Sequence, residues 1–229
     1  YQVAWNRILS LLLGSSIYAF SLILTTFILG LALGTIVFSR IVNLFKNPQV
    51  VFGFLQLGIG VSALMIVPLF ENIPFINRWI YENWSMDFIT IQWSVFLIIF
   101  CFLFVPTFFM GGQFPVVVRH IVSRLDSLGR SVGKVYASNT FGTIFGSFLA
   151  GFILVPLIGV QNTIFIAVAM NLFLGFALLV SSKDLSLNNK IYILPGILIS
   201  CFLYANSIDP WDKSIISSGS YMPYRIGDL

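Results

Sequence analysis

Residues Ile8–Phe38 read ILSLLLGSSIYAFSLILTTFILGLALGTIVF, a stretch without one Asp, Glu, Lys, Arg or His. It is well beyond the roughly 20 apolar residues a helix needs to cross a bilayer's hydrocarbon core. Five further runs share the property: Val50–Phe70, Phe88–Val118, Val135–Pro156, Leu157–Val180 and Ile191–Ile208. The first five of the six reach spanning length, and the last sits near the lower limit of about 17 residues. Only helices and closed barrels satisfy the backbone in lipid. The runs are continuous rather than alternating, which selects helices. The expected fold class is therefore all-α, a polytopic transmembrane helix bundle with six spans over residues 1–208.

Composition agrees. Of 229 residues, 58% are hydrophobic and only 9% charged, against about 25% charged in a soluble domain. The first run is too long for a signal peptide, and more spans follow it. Cys101 and Cys201 both fall inside apolar runs, so they form neither a disulfide framework nor a metal-ligand pattern and read as small apolar fillers. The net charge of +4 does not indicate a nucleic-acid partner; the partner implied is the lipid bilayer. The chain starts at Tyr1 directly before a span and stops at Leu229 in a polar segment too short for a domain. It is expected to be a piece of a longer protein.

The polar segments alternate in charge. One set carries Arg40, Lys46, Arg119, Arg124, Arg130, Lys134, Lys183 and Lys190 against Asp126 and Asp184. The other carries Arg7, Arg78, Lys213 and Arg225 against Glu71, Glu82, Asp87, Asp209, Asp212 and Asp228. Cytoplasmic loops are enriched in Lys and Arg. Loops 39–49, 119–134 and 181–190 are thus expected in the cytoplasm, with Tyr1, segment 71–87 and a short turn near Gly159 outside. Trp5, Trp79, Trp84, Trp93 and Trp211 all fall near the expected outer side, where interfacial Trp is favoured. If the last run crosses, the tail from Asp209 is outside. With only 18 residues and Pro195–Gly196 inside it, a re-entrant segment that leaves the tail in the cytoplasm is the alternative.

Lipid tails give no hydrophobic drive for helix association, so small residues that let backbones approach carry the interfaces. Gly30 and Gly34 lie four apart in the first run; Ser138, Gly142, Gly146 and Ala150 repeat the spacing in the fourth; Gly53, Gly58 and Gly60 lighten the second. Helix packing explains them; a sliding surface, as in transporters, is the alternative. The polar residues in the spans are uncharged: Ser15, Ser16, Thr25, Thr26, Gln56, Gln113, Asn139, Thr140, Asn162 and Asn171. Either they bond between helices or they line a polar cavity, since a buried amide without a partner is costly. The candidates for a polar cavity or helix packing are Asn139, Gln113, Gln56, Gly142, Gly146, Gly30 and Gly34. Ionisable residues, which typically mark ion pathways inside membranes, are missing from every run.

Met110–Gly111–Gly112–Gln113–Phe114–Pro115 is expected to loosen the end of the third span. The basic stretch Arg119–Lys134 comes next, with a lone His120, and reads as a loop against anionic headgroups. Ile73–Phe88, with Phe75, Trp79, Trp84 and Phe88, reads as a short interfacial helix.

Three ordered blocks carry a resemblance. Tyr1–Gln2–Val3–Ala4–Trp5–Asn6–Arg7 with Leu13–Phe20 and Leu29–Gly34 forms the first, Phe109–Pro115 the second, and Tyr136–Gly142 with Gly146–Ser147 the third. Together they resemble the membrane part of bacterial spermidine-synthase-like proteins, in which a major-facilitator-like bundle precedes an aminopropyltransferase-like domain. The resemblance covers nearly the whole chain and implies a further helix before Tyr1. Asp209–Pro210–Trp211–Asp212 and Ser217–Ser218–Gly219–Ser220–Tyr221 look like the lead-in to the synthase-like domain, so residues 209–229 are expected to begin it.

The family's nucleotide-type site needs a Gly-rich turn after a strand and then an acidic residue, and no such segment occurs here. No catalytic, cofactor or metal residue is therefore expected in this chain. Decarboxylated S-adenosylmethionine is implied only as co-substrate of the absent domain. The implied function is to anchor that domain; the alternative is a major-facilitator-like transporter of a small solute such as a polyamine, and a purely structural anchor is a third. An external tail conflicts with a cytoplasmic co-substrate: either the last run does not cross, or another span comes after it, or the chemistry differs.

Overall fold

The computed structural model describes residues 1–13, 17–83, 87–121, 128–186, 190, 192, 194–212 and 216. Ser15, Ser16, Trp84, Arg124, Asp126, Lys213, Arg225, Asp228 and Ser217–Tyr221 lie outside the described residues. Regular structure among those described is helical throughout: α1 (Gln2–Leu13), α2 (Ile17–Ile41), α3 (Pro48–Ile66), α4 (Ile73–Asn83), α5 (Phe88–Ile121), α6 (Leu128–Phe148), α7 (Val155–Ser181) and α8 (Leu194–Ser207). Four stretches are long and apolar enough to cross a membrane: Ile17–Leu44, Pro48–Ile80, Gln92–Ile121 and Gly129–Ser181.

The boundaries arise from local chemistry. Asn47 caps α3, its side chain accepting the Gln49 N–H at 2.9 Å, with Pro48 in the first turn, where no N–H is needed. At the far end Pro68 cannot donate to the Leu64 carbonyl, and Val67 N–H takes it instead. The chain tightens there into a 3-10 turn over Val67–Asn72. A π-helical segment, Leu149–Leu154, precedes Pro156 in the same way, with Val155 N–H bonding back to Ala150. The 53-residue stretch Gly129–Ser181 would be about 80 Å long if straight. It breaks at Gly159, whose φ of 84° and ψ of 168° interrupt the helix.

The first apolar run departs from expectation. Trp5 and Phe27 ring centroids are 6.2 Å apart, whereas the intervening residues in one straight helix would separate them by about 33 Å. Ile8–Phe38 is therefore not a single span but two helices packed on each other. Trp5 is fully buried within the bundle. The Tyr1 hydroxyl accepts a hydrogen bond from the Asn171 amide at 2.9 Å, midway along α7. Close packing holds α1 in place: it buries Ala4, Trp5, Ile8, Leu9, Leu12 and Leu13 in one core with Phe27, Leu64, Val67 and Ile164.

Two seams hold the bundle. In the first, α2 and α5 run parallel. A Cβ on Gly30 would press on Thr107, one on Gly34 on the Phe108 carbonyl, and one on Gly111 on the Leu31 carbonyl; a Cβ on Gly112 would meet the Phe38 ring. In the second, α3 and α7 run antiparallel: a Cβ on Gly53 would come within 2.7 Å of Leu179, and one on Gly60 within 2.8 Å of Leu172. The expected loosening at Met110–Pro115 does not occur. The α5 helix continues through Pro106 and Pro115 to Ile121. Pro115 deprives the Gly111 carbonyl of its helical donor, and Thr35 Oγ1 supplies a replacement at 2.8 Å.

Candidate functional site

The seven candidate residues do not converge. Gly30 and Gly34 sit in the α2–α5 seam. Gln56 is in the core on α3, 4% exposed. Gln113 is half-buried on α5. Asn139, Gly142 and Gly146 are exposed on α6, where a Cβ on either glycine would meet nothing within 4 Å. The α6 hydroxyls turn inward on their own helix, Thr140 to the Tyr136 carbonyl and Thr143 to the Asn139 carbonyl. The small-residue stripe on α6 therefore stands open, unlike those of α2 and α3.

Hollows lined by described residues include one of about 350 Å³, formed by Leu22, Thr25, Ile89, Gln92, Trp93 and Phe96, and one of about 170 Å³, formed by Gln2, Val3, Asn6, Phe20, Ile23 and Leu24. Neither includes a candidate residue. Among the described residues no three of His, Cys, Asp and Glu come together as metal ligands, and His120 is exposed. Among the described residues Trp5 Nε1, Asn6 Oδ1, Thr26 Oγ1 and Gln56 Oε1 are buried without a hydrogen-bond partner.

Polar chemistry is concentrated at the two ends of the α3–α7 seam. At the end carrying Lys46 and Lys183, α3 reaches across directly. Gln49 Nε2 donates to the Leu178 carbonyl at 3.0 Å and to Ser181 Oγ at 2.9 Å, and Asn47 Nδ2 donates to Asp184 at 2.5 Å. Lys190 Nζ closes onto the Ser182 carbonyl beside them.

At the opposite end the bridge is a third segment, Asp209–Asp212. Trp211 Nε1 donates to the Val67 carbonyl at 2.9 Å, its ring stands edge-on to Phe70 with centroids 5.5 Å apart, and 9% of it is exposed. Gln161 grips the strap by both ends of its amide: Oε1 accepts Trp211 N–H at 2.9 Å, and Nε2 donates to the Asp209 carbonyl at 3.0 Å. Glu71 Oε1 accepts Asp212 N–H at 2.7 Å. The chain from Lys190 to Trp211, including α8, thus runs from one end of the seam to the other.

Sequence reasoning singled out Asp209–Asp212 as a motif but missed Gln161 and Glu71. Both read as ordinary polar residues at helix ends, and their partners are 48 to 141 positions away. No family model matches the chain, and comparison with curated proteins and with solved structures gives no match either.

Proposed function

We propose that this chain is the membrane-embedded platform of a spermidine-synthase-like protein of the cell (inner) membrane. Loops 39–49, 119–134 and 181–190 face the cytoplasm, and the segment after residue 208 leads to an aminopropyltransferase-like domain. The 53-residue stretch folds at Gly159 into two crossings, and α8 with its flanks makes the last. The observation that carries the platform reading is the strap: Asp209, Trp211 and Asp212 after α8 are hydrogen-bonded to Gln161, Val67 and Glu71, while the candidate polar residues of the bundle form no common site. Such a bundle is suited to holding a downstream segment in a fixed place.

The orientation has a consequence. The strap sits at the end opposite Lys46 and Lys183, hence outside if basic loops are cytoplasmic. Aminopropyl transfer from decarboxylated S-adenosylmethionine, a cytoplasmic metabolite, then requires a further crossing after the strap. Cysteines at Ser186 and Asp209, probed with a membrane-impermeant maleimide in intact cells, test this. Labelling at Asp209→Cys alone is the expected result; equal labelling of both refutes the orientation.

A second reading, a major-facilitator-like transporter of a small solute such as a polyamine, is favoured by one observation. Among the described residues Trp5, Asn6, Thr26 and Gln56 hold buried polar atoms without a partner, which a passing solute could satisfy. The charge-free spans weigh against a cationic substrate. Uptake of labelled spermidine into proteoliposomes at the rate of empty vesicles would remove it.

A further inference from the structure

Lys46 and Lys183 are far apart in sequence, yet they flank one hydrogen-bonded junction in the fold. Asn47 caps the start of α3 and Ser182 caps the end of α7. Asn47 Nδ2 lies 3.5 Å from Ser182 Oγ and donates to Asp184 at 2.5 Å. Each lysine is one residue, about 3.8 Å between Cα atoms, from a member of the Asn47–Ser182 pair. Gln49 tightens the junction through its bonds to Leu178 and Ser181, and Lys190 Nζ binds the Ser182 carbonyl on the same junction.

The charges gathered here do not balance. Lys46 and Lys183 are exposed, and neither makes an ion pair or a hydrogen bond to another described residue. The carboxylate of the junction is Asp184, whose Oδ2 accepts the Asn47 amide. Lys46, Lys183 and Lys190 against Asp184 leave the corner positive. It lies where the apolar stretch Pro48–Ile80 begins and Gly129–Ser181 ends, the level at which headgroups meet the hydrocarbon core.

The surface beside Lys46 points to the same partner. The 3-10 turn Val42–Leu44 buries Val42 in a small core with Val51, Leu55 and Val116. With Val42 anchored, the residues after it stand outward: Leu44 is 80% exposed and Phe45 47%. A free phosphate gains nothing from an exposed leucine and phenylalanine beside its cations. A phospholipid does, because its acyl chains cover apolar side chains while its phosphate meets the ammonium groups.

We propose that the Lys46–Lys183 corner is a binding site for an anionic phospholipid, with the phosphate between the two lysines and an acyl chain along Leu44 and Phe45. Lysine carries its charge on a flexible four-carbon stem, so both can converge on one headgroup while the junction stays fixed. The site rests on the membrane setting of the chain, but not on which domain follows it.

The test is native mass spectrometry of the full chain released from detergent micelles, titrated with phosphatidylglycerol or with phosphatidylcholine. Phosphatidylglycerol should bind about 25-fold more tightly, roughly fivefold for each lysine. Lys46→Gln and Lys183→Gln should each lower its affinity about fivefold and leave phosphatidylcholine unchanged. Phe45→Ser should weaken both lipids. Arg7→Gln, which removes an exposed cation from α1, should change neither. Both lysines are exposed, so the glutamine variants should melt at the parent's temperature without added lipid.

Equal affinity for the two lipids overturns the site. So does an equal loss from Arg7→Gln, because net charge rather than this corner would then hold the lipid. Inorganic phosphate that displaces phosphatidylglycerol at equal concentration overturns the lipid as occupant in favour of a free anion. Failure of the membrane setting shows separately, as release of the chain from membranes by alkaline carbonate.

Discussion

Thr35 Oγ1 donates a 2.8 Å hydrogen bond to the carbonyl of Gly111, the acceptor that Pro115 leaves without its helical N–H. One side chain on α2 thus repairs a defect in α5, and it does so where Gly34 and Gly111 bring the two backbones together. Thr35→Val keeps the shape and removes the donor. It should cost about 1 kcal/mol, and Thr35→Ser should recover most of that. Thermal unfolding of the purified chain in detergent measures both; a Val variant as stable as the parent excludes the repair.

The open and closed glycine stripes predict opposite outcomes for the same substitution. A Cβ on Gly34 would stand 2.9 Å from the Phe108 carbonyl carbon and nearer still to its oxygen, both backbone atoms with little room to yield. Gly34→Ala should destabilise by about 2 kcal/mol. Gly142→Ala meets nothing within 4 Å and should gain about 0.5–1 kcal/mol from helix propensity. Melting temperatures that move the same way for both would contradict the packing.

Gly159 is the positive-φ residue among those described, at φ 84° and ψ 168°. That region is essentially restricted to glycine, and entering it costs another residue about 1–3 kcal/mol. Space is not the obstacle, since a Cβ there has no neighbour within 4 Å. Gly159→Ala should therefore lower stability through the backbone alone. Gly196, also open but without a positive φ, should accept alanine without loss, and chemical denaturation of the pair separates the two cases.

Thr26 is fully buried with a partnerless hydroxyl. Replacing it with the isosteric valine removes a polar group that makes no bond, so Thr26→Val should be neutral or stabilising by about 1 kcal/mol. A clear loss of stability would instead reveal that this hydroxyl is bonded, and would remove one of the partnerless atoms that favour the transporter reading.

Much of the architecture was legible because lipid imposes a simple rule. Apolar length and continuity marked helices α2, α3, α5 and α7, and the Gly159 break fell where the short turn was expected. The spacing of Gly30 and Gly34 suggested a close seam, yet the same spacing at Gly142 and Gly146 gives none. Small residues permit approach, but whether a partner helix arrives is decided by the rest of the bundle. The split of Ile8–Phe38 into two packed helices was hidden for a related reason. In a run without a charged residue, hydropathy alone does not mark where one helix ends and the next begins.

The sequence alone determined that this chain is built around long, charge-free apolar runs and which of its polar segments are basic, since both are set by composition along the chain. Only the tertiary structure decided that Trp5 lies in the core, that Thr35 mends the gap left by Pro115, and that Gln161 and Glu71 hold the Trp211 strap. Those pairings depend on residues distant in sequence meeting at bonding distance, and no local pattern encodes which distant residue that is.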